Sequence, residues 1–462
     1  MMAGELLCGS LDGTYRGAAI DSRNLAGGEI FFAFQGERTD GHRYVASALD
    51  GGARAAVVET SYLKAHPGEA RGWSDHGTVL TVPRGLEALH GLVRGVRRSV
   101  PERLVAITGS AGKTTTKEIL TTLLKGRFRV AKSPGNLNNF LGFPIALLGI
   151  PNDTEWMVAE LGMSEAGELA HLSRLARPEV VVFTNVGPAH LEFFGSLEAI
   201  AAAKAELLEG LTRDGLVIAN GDDPLVRGFA RTHARSFRGR TVYYGLASGS
   251  LEVRAAGVTA VGGGGSRFEL IAGGERQPIE LPLHGLYNVE NFLAAAACAW
   301  ALGLPLEEIR QATEDLRDPK GRGAVHHLGR EITLVDDSYN SNPRALRVAL
   351  ESAAALDGGR RWAVLGDMLE LGPTAPELHR EAGREALELG FEPVLGVGPL
   401  AAELVAEVRA RGGGGEWFED APAAAHRARD LMRPGDVILV KGSRGIGLDA
   451  VVAALLEGRE AD

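Results

Sequence analysis

The chain has 462 residues, 45% hydrophobic and 23% charged, a composition typical of folded globular proteins and not of disordered ones. That length predicts about three domains, because a single hydrophobic core rarely grows so large. Lysine and arginine total 49 against 59 acidic residues, and the net charge of −10 argues against a dedicated nucleic-acid-binding protein. The two cysteines, Cys8 and Cys298, form no metal or redox motif, so a reducing intracellular compartment is expected.

The N-terminal residues have no basic stretch followed by an apolar one, which predicts that there is no signal peptide. The longest apolar run begins at Phe292, is rich in alanine and is too short for a membrane span. We interpret it as a buried helix. A cytoplasmic protein without membrane insertion is therefore expected.

Three blocks follow one another along the chain, and we place them at 1–98, 99–317 and 318–462. The first contains the strand-like segments IFFAF and AAVVE and ends in a helical segment. The second alternates apolar strands (LVAIT, WMVAELG, VVVFTNV, GLVIAN) with amphipathic helices, and the third repeats that rhythm. Such alternation predicts α/β domains with mainly parallel sheets covered on both faces. Residues 240–282 read as a short β excursion with a glycine-rich turn.

A glycine-rich loop opens the second block, in the sequence ITGSAGKTTTKE. The standard phosphate loop is G-x-x-x-x-G-K-[ST], whereas here only two residues separate Gly109 from Gly112-Lys113-Thr114. Its strand–loop–helix context suits an anion site, since helix N-terminal N–H groups attract phosphate. Lys113 would neutralise the β- and γ-phosphates, and the hydroxyl of Thr114 or Thr115 would reach Mg²⁺. The predicted nucleotide-binding residues are Gly109, Ser110, Ala111, Gly112, Lys113, Thr114 and Thr115.

Polar side chains also follow the neighbouring strands, where ligands of open α/β sheets bind. Glu160 ends one strand, and Asn185 and His190 follow the next. Glu160 alone would more often be a capping or surface carboxylate, and His190 a loop residue. Their coincidence beside the phosphate loop favours a divalent metal site. Lys204, among alanines on a helix, is by itself more typical of a solvated lysine.

Together these residues resemble the Mur ligases, ATP-dependent amide-forming enzymes of peptidoglycan precursor synthesis whose phosphate loop is the short G-x-x-G-K-T form. The resemblance covers nearly the whole chain. It implies a small N-terminal α/β domain that binds the UDP-sugar, a central P-loop mononucleotide-binding parallel sheet, and a C-terminal Rossmann-like α/β domain. That last domain would close over ATP and bind the incoming dipeptide.

The resemblance assigns substrate-binding residues in the first two blocks. Asp21-Ser22-Arg23 is similar to the family's nucleotide-sugar motif, with Asp40-Gly41-His42 closing it, although DSR alone is equally consistent with a polar turn. SPGNLNNFLGFP is similar to the loop around the substrate, which implicates Asn136, Asn138 and Asn139. Asparagine side chains suit neutral sugar and peptide amides because they both donate and accept hydrogen bonds.

The resemblance also implies a metal set and an adenine site. His190, Glu160 and Thr114 would hold Mg²⁺, and Lys204 would be the family's carbamylated lysine, which reverses the interpretation of Lys204 as solvated. Gly285, Asn288 and Asn291 match the G-x-H-N-x-x-N motif near adenine. Tyr287 stands where that motif has histidine, so stacking or a single hydrogen bond is expected there.

In the third block the resemblance places Arg322 near the γ-phosphate and Asp337 near the ribose. Read without it, Asp336-Asp337 could simply cap a helix. The segments DDSYNSNP, LGDMLELG with His379, and VKGSRG are similar to the D-alanyl-D-alanine-adding members, and Tyr339, Asn340 and Asn342 become substrate residues. The implied catalytic residues are Lys113, Lys204, His190, Glu160 and Arg322.

The implied reaction joins D-alanyl-D-alanine to UDP-N-acetylmuramoyl-tripeptide through an acyl phosphate, with ATP and Mg²⁺, in a monomeric enzyme that binds no nucleic acid. Three alternatives remain open. The chain could be another amide ligase of this fold, such as a diamino-acid-adding ligase or a folylpolyglutamate synthase. It could be a P-loop ATPase or switch with no amine acceptor, or a carbohydrate-binding protein, which would not need the lysine-threonine loop.

Overall fold

In the computed structural model the described residues are 4–36, 39–99, 103–135, 137–188, 191–235, 238–247, 249, 251–261 and 265–457. They form three sheets in chain order. The predicted α/β class with three domains is confirmed. The boundaries at 98/99 and 317/318 stay a prediction.

The first sheet has five strands in the order β1-β5-β4-β3-β2, parallel except for the β1–β5 pair. Its apolar strands form the core of this part of the chain because both faces are covered. The elements are strands β1 Glu5–Cys8, β2 Ala18–Ala19, β3 Ile30–Phe32, β4 Ala55–Glu59 and β5 Thr78–Val82, with helices α1 Val45–Asp50, α2 Thr60–Ala65, α3 Glu69–Trp73 and α4 Gly85–Ser99.

The second sheet has nine strands in the order β14-β13-β12-β11-β10-β9-β6-β8-β7. Its strands are β6 Arg103–Thr108, β7 Val130–Lys132, β8 Trp156–Glu160, β9 Val180–Phe183, β10 Leu216–Asn220, β11 Arg240–Gly245, β12 Val253–Val261, β13 Gly265–Ala272 and β14 Glu275–Leu281. Its helices are α5 Lys113–Lys125, α6 Gly142–Leu148, α7 Glu168–Ala176, α8 Leu191–Phe194, α9 Leu197–Ala205, α10 Pro224–Ala234, α11 Leu286–Ala301 and α12 Leu306–Ala312.

Strands β6 to β12 of this sheet run parallel, and the two hairpin pairings β12–β13 and β13–β14 are antiparallel. The predicted β excursion is therefore the far edge of the same sheet; its glycine turn at 262–264 lies outside the described residues. The apolar run from Phe292 is confirmed as a buried helix, since α11 packs inside one of the two cores of this sheet.

The third sheet has six strands in the order β15-β16-β20-β17-β18-β19, and only the pairing of β15 with β16 is antiparallel. Its elements are strands β15 Ala324–His327, β16 Thr333–Asp337, β17 Arg361–Gly366, β18 Phe391–Val397, β19 Gly415–Phe418 and β20 Val437–Lys441, with helices α13 Pro343–Ala354, α14 Ala375–Glu388, α15 Ala401–Ala410, α16 Ala421–Leu431 and α17 Asp449–Glu457. Among the described residues, no helix combines the length and apolar character that crossing a bilayer requires.

Candidate active site

The glycine-rich loop connects β6 to α5, as the sequence predicts. Gly112 has φ 82°, a left-handed conformation that favours glycine, and a Cβ atom there would overlap the side chain of Asn291. The chain can therefore turn directly into α5, which begins at Lys113. The first-turn N–H groups of α5 lack partners within the helix and are suited to an anion.

Residues after β9 hold this loop in shape. The N–H of Ala111 donates to Oδ1 of Asn185 across 2.9 Å, and Thr184 Oγ1 donates to the Ala111 carbonyl across 2.6 Å. Ser110 Oγ donates to the Gly187 carbonyl and accepts from the Gly187 N–H, at 3.0 and 2.9 Å. The strand end predicted to carry ligand-binding groups thus also fixes the phosphate loop itself.

Lys113 folds back over the loop, and its Nζ donates to the Gly109 carbonyl across 2.8 Å. Desolvation lowers the pKa of this amine, the charge of Glu160 opposes that effect, and Arg322 adds to it. Arg322, just before β15, lines the same cavity as Ser110 and Gly112 of the phosphate loop, so a cation of the third part of the chain lies near this loop.

Glu160 lies at the end of β8, only 4% exposed, beside α5. Its Oε2 accepts from the Thr114 hydroxyl across 2.7 Å, and its Oε1 accepts from Nδ2 of Asn138 across 2.9 Å. Burial alone would raise the pKa of this carboxyl, but Lys113, the Thr114 hydrogen bond and Arg322 outweigh it and lower the pKa. Glu160 is thus an ionised carboxylate beside the predicted phosphate position.

This pair suits Mg²⁺, which in phosphate sites is usually held by one or two carboxylates or hydroxyls, with water and phosphate oxygens supplying the rest. Among the described residues, no group of three histidine, cysteine, aspartate or glutamate side chains could hold a metal by itself. His190, the remaining predicted ligand, lies outside the described residues. The described donors are thus a hydroxyl and a carboxylate.

Lys204 is 3% exposed, so its interpretation as a solvated lysine is wrong. It lies at the end of α9, and that helix buries Ile200 and Ala203 as well. Burial, with the nearby charge of Lys113, holds the pKa of the Lys204 amine well below its usual range. The neutral form of an amine is the one that reacts with carbon dioxide, and a lowered pKa increases the fraction of that form.

Two asparagines of α11 support the loop from the other side. Asn291 contacts Thr116 and Gly112, and its Nδ2 donates to Oδ1 of Asn288 across 3.2 Å. Asn288 is fully buried and donates to the His284 carbonyl across 2.8 Å. Asn291 lines the cavity described below, whereas Asn288 positions Asn291; a direct contact between Asn288 and nucleotide stays a prediction.

Tyr287 projects from the start of α11 towards the third sheet. Gly323, with φ 81°, lies against its hydroxyl, and a Cβ atom at that position would overlap the oxygen. Burial raises the pKa of Tyr287 well above its usual range, and the carboxylates of Asp337 and Asp318 raise it further. The tyrosine in place of the motif's histidine therefore bridges two parts of the chain.

The third sheet contributes a buried ion pair and a stacked arginine. Lys441 Nζ, 2% exposed, donates to Oδ2 of Asp337 across 2.6 Å and to the Asn340 carbonyl across 2.9 Å. Burial raises the pKa of Asp337, although Lys441 opposes the rise. The guanidinium of Arg322 lies 4.0 Å from the ring centroid of Tyr339, which fixes its direction.

The interpretation of Asp336-Asp337 as a helix-capping pair is wrong. Asn342 caps α13 by accepting from the Ala345 N–H across 2.9 Å. Asp336 accepts from the hydroxyl of Ser338 across 2.6 Å. His379 is also structural, because it accepts from the Met368 N–H across 2.9 Å.

A cavity of about 770 Å³ joins these groups between the second and third sheets. It is lined by predicted site residues from both sides: Ser110, Ala111, Gly112, Thr115, Asn291, Arg322, Asp337, Asn340 and Asn342. Tyr287, Asn185 and Lys441 line it too. Its position and polar ends suit a nucleotide with its phosphates at the glycine-rich loop.

The described substrate residues predicted in the first two blocks do not line this cavity. Asp21 accepts two hydrogen bonds from the Arg23 guanidinium, each 2.8 Å long, and this pairing lowers the pKa of Asp21 to about 2. Asn138 binds Glu160, and Asn139 caps α6 by accepting from the Gly142 N–H across 2.8 Å. Asn136 lies outside the described residues. The sugar-binding role of these residues stays a prediction.

Sequence reasoning missed two basic residues near this site. Lys117, 1% exposed, donates to the carbonyls of Ser133 and Gly135 across 2.8 and 3.3 Å. Its spacing of four from Lys113 places both on one helix face, which could have drawn attention to it. Arg344, on α13, donates to the Val186 carbonyl across 3.4 Å and so joins the second and third sheets.

Fold and site together define a nucleotide-dependent P-loop enzyme built from three α/β parts. Residues 14–96 match the model described as "Mur ligase family, catalytic domain", residues 107–299 the "Mur ligase middle domain", and residues 321–444 the "Mur ligase, glutamate ligase domain". The chain belongs to the Mur ligase family.

Its relatives share both sequence and fold. The UDP-N-acetylmuramoyl-tripeptide–D-alanyl-D-alanine ligase of Synechocystis is 34% identical over 440 residues, which are 94% of this chain and 91% of that protein. A crystal structure of MurF from Acinetobacter baumannii superposes with a TM-score of 0.82 at 30% identity, covering 95% of this chain and 93% of that one. A MurF ligase from Thermotoga maritima, solved in complex with ADP, has a TM-score of 0.80 at 28% identity, with coverages of 96% and 98%.

Proposed function

We propose that this chain is an ATP-dependent ligase that joins D-alanyl-D-alanine to UDP-N-acetylmuramoyl-tripeptide through an acyl phosphate. The products would be ADP, phosphate and UDP-N-acetylmuramoyl-pentapeptide. The likeness to the D-alanyl-D-alanine ligase of Synechocystis over 94% of this chain supports the choice of substrates. The observation that carries the chemistry is the cavity between the phosphate loop and the third sheet, lined by Gly112 and Thr115 on one side and by the basic Arg322 and Lys441 on the other.

Charge neutralisation is the first task of the site. The γ-phosphate and the tripeptide carboxylate are both anionic, so they repel one another until cations are placed around them. Lys113 from the loop and Arg322 from the third sheet are near enough to affect the same carboxylate, Glu160. We assign both to the γ-phosphate as it moves to the tripeptide carboxylate.

The second task is to hold the metal. Thr114 and Glu160 would hold Mg²⁺, with His190 as a further ligand. The metal would supply additional positive charge to the phosphates. Because the Thr114 hydroxyl currently donates to Glu160, binding a cation there would require that hydrogen to turn away and leave two oxygens facing the ion.

We assign Lys204 a carbamate. A neutral amine attacks carbon dioxide, forms a C–N bond and releases one proton, and the product carries a carboxylate-like charge. The lowered pKa of Lys204 supports this reaction, because it increases the fraction of the amine that is neutral. The carbamate would also place a negative charge near Lys113, where a neutral amine carries none.

The remaining assignments follow the three predicted domains. Asp21, Ser22 and Arg23 would bind the UDP-sugar, the three loop asparagines the peptide, and Tyr339, Asn340 and Asn342 the dipeptide. Asp337 would bind the ribose. A single chain supplies every group, so we take the monomer as the functional unit. The joint need for ATP and a UDP-sugar places the reaction in the cytoplasm.

Phosphate release with different amine acceptors tests the proposal. UDP-muramoyl-tripeptides carrying diaminopimelate or lysine are each combined with ATP and Mg²⁺, with and without D-alanyl-D-alanine. We expect phosphate release only when the dipeptide is present. A parallel assay combines the shorter UDP-muramoyl-dipeptide with a diamino acid, and phosphate release stimulated by that amine would assign a different ligase of the family. Phosphate release that does not depend on any amine would indicate an ATPase or switch.

A further inference from the structure

Two histidines contact each other outside the nucleotide cavity, where three elements meet. His90 lies on α4 and is 4% exposed, and His171 lies on α7. The Nε2 atom of His171 lies 2.9 Å from Nδ1 of His90, and Nε2 of His90 lies 2.8 Å from the Phe140 carbonyl oxygen. The pair thus links both helices to the loop that precedes α6.

The hydrogen positions in this arrangement follow from its geometry. A carbonyl oxygen can only accept, so Nε2 of His90 must carry the hydrogen. In a neutral His90 ring Nδ1 is then an acceptor, and Nε2 of His171 must be the donor to it. Both bonds exist with a neutral His90, and they also exist with a protonated His90 if Nε2 of His171 then accepts; only protonation of both rings places two N–H groups against each other.

The surroundings favour that neutral form. Burial lowers the pKa of His90, the bond to Phe140 opposes this, and Arg94 on the same helix lowers it further. Burial also lowers the pKa of His171, with further lowering by His90, Arg94 and Arg174 on its own helix. The segment Gly142–Leu148 of α6, which packs against α4, carries no charged side chain.

The loop 137–141, which His90 contacts through Phe140, also contacts Glu160, the proposed metal ligand. Asn138, two residues before Phe140, donates to Oε1 of Glu160 across 2.9 Å and accepts from the Gly162 N–H through its carbonyl. The neighbouring Asn139 caps α6. A shift of the Phe140 carbonyl would therefore move the asparagine that orients Glu160.

We propose that His90 and His171 are positioning residues for the ligase reaction, and that their hydrogen-bonded pair fixes loop 137–141 so that Asn138 orients Glu160. The role of Glu160 rests on the proposed function, whereas the fixing of the loop does not. The pair acts through the loop and touches none of the reacting groups. Its effect is lost when the pH is low enough to protonate both rings, because two imidazolium rings cannot form the hydrogen bond between them.

The test uses the full-length protein and the variants His90→Ala and His90→Gln. A glutamine can donate from its amide to the Phe140 carbonyl and accept from His171, because its nitrogen and oxygen are separated much as the two ring nitrogens are, and it does not titrate. His426→Gln, at an exposed position on α16, is the control. Circular dichroism and the melting temperature identify any variant that fails to fold.

Amide hydrogen exchange of peptides covering residues 137–148, without substrates, is the first readout. We expect faster exchange there in His90→Ala, by about tenfold for the loss of one hydrogen bond, and near wild-type exchange in His90→Gln and His426→Gln. Unchanged exchange in a folded His90→Ala variant would overturn the proposal. So would a folded His90→Gln variant that exchanges as fast as His90→Ala.

The pH profile of kcat/KM for the tripeptide is the second readout. We expect the decline below about pH 6 to be shallower in His90→Gln than in the wild type. If the acidic limbs of the two pH profiles are identical, protonation of the histidine pair does not affect the reaction and this part of the proposal is overturned. Because hydrogen exchange needs no substrate, it separates failure of this proposal from an error in the assigned acceptor amine.

Discussion

Thr114 donates its hydroxyl hydrogen to Glu160 across 2.7 Å, and this bond joins the first turn of α5 to the end of β8. The two residues are 46 positions apart in the chain. Parallel strands bring their carboxyl ends to one edge of a sheet, so a carboxylate that ends β8 lies beside the loop that follows β6. This relationship makes the glycine-rich loop a candidate metal site as well as a phosphate site.

Lys204→Ala should abolish nearly all ligase activity, and short carboxylic acids such as acetate should restore part of it. The reason is that the proposed carbamate contributes a carboxylate that a small acid can replace in the space left by the side chain. Lys125→Ala, at an exposed position of α5, is the control. A carbamate signal in the ¹³C NMR spectrum of enzyme equilibrated with ¹³C-bicarbonate should disappear in Lys204→Ala. Full activity of the plain variant would remove this role.

Lys117→Met should lower kcat/KM by about tenfold, because the carbonyl oxygens of Ser133 and Gly135 at the start of the predicted substrate loop would lose their charged donor. Ser133 in turn contacts Glu160, because its hydroxyl accepts from the Glu160 N–H across 3.2 Å. The matched control is Lys125→Met on the same helix. Activity assays and melting temperatures check the effect, and equal behaviour of the two variants would show that Lys117 is dispensable.

Gly323→Ala should lower the melting temperature, since it adds both a strained φ and an overlap with the Tyr287 hydroxyl, together costing about 1–3 kcal/mol. Adding Tyr287→Phe removes the hydroxyl oxygen and should recover the part of the loss in melting temperature that is due to the overlap. A double-mutant cycle should then give a coupling of at least about 0.5 kcal/mol. Gly329→Ala, which meets no atom within 4 Å, is the control. Strict additivity would contradict the contact.

Asp318→Asn should stabilise the protein at pH 8 but hardly at pH 4. Burial raises the pKa of Asp318 to about 6, and its Oδ1 is buried without a hydrogen-bond partner among the described residues. The folded state therefore holds this proton more tightly than the unfolded state, so the ionised carboxylate costs stability increasingly from about pH 4 to pH 6, up to about 3 kcal/mol.

Melting temperatures across that pH range measure the effect. The exposed Asp315, replaced by asparagine, is the control. A gain in melting temperature that is the same at both pH values, or no gain at pH 8, would show that Asp318 is not a buried carboxylate.

Local patterns were sufficient to predict the fold and the central loop. The apolar strands, the helices between them and the strand–loop–helix context of Lys113 are all properties of neighbouring residues. The prediction that Glu160 and Asn185 lie at strand ends on the same edge of the sheet also follows from a general rule of parallel sheets. The structure places both beside the loop.

Contacts between distant segments could not be predicted in this way. Lys441 and Asp337 are 104 residues apart, and nothing near either residue indicates the other. The burial of Lys204 was likewise hidden, because one lysine among alanines fits a solvated helix face until the neighbouring helices are known. The contacts of Lys117 and of the His90–His171 pair could not be predicted for the same reason, since their partners come from separate elements.

The fate of carboxylate oxygen tests the central claim most directly. The tripeptide is labelled with ¹⁸O at its terminal carboxylate and incubated with ATP, Mg²⁺ and D-alanyl-D-alanine, and the released phosphate is analysed by mass spectrometry. An acyl phosphate carries one carboxylate oxygen to phosphorus, and attack by the amine expels it with the phosphate. We predict one ¹⁸O atom in each phosphate, released only with the dipeptide present; unlabelled phosphate would mean that water attacks ATP and would contradict the assignment.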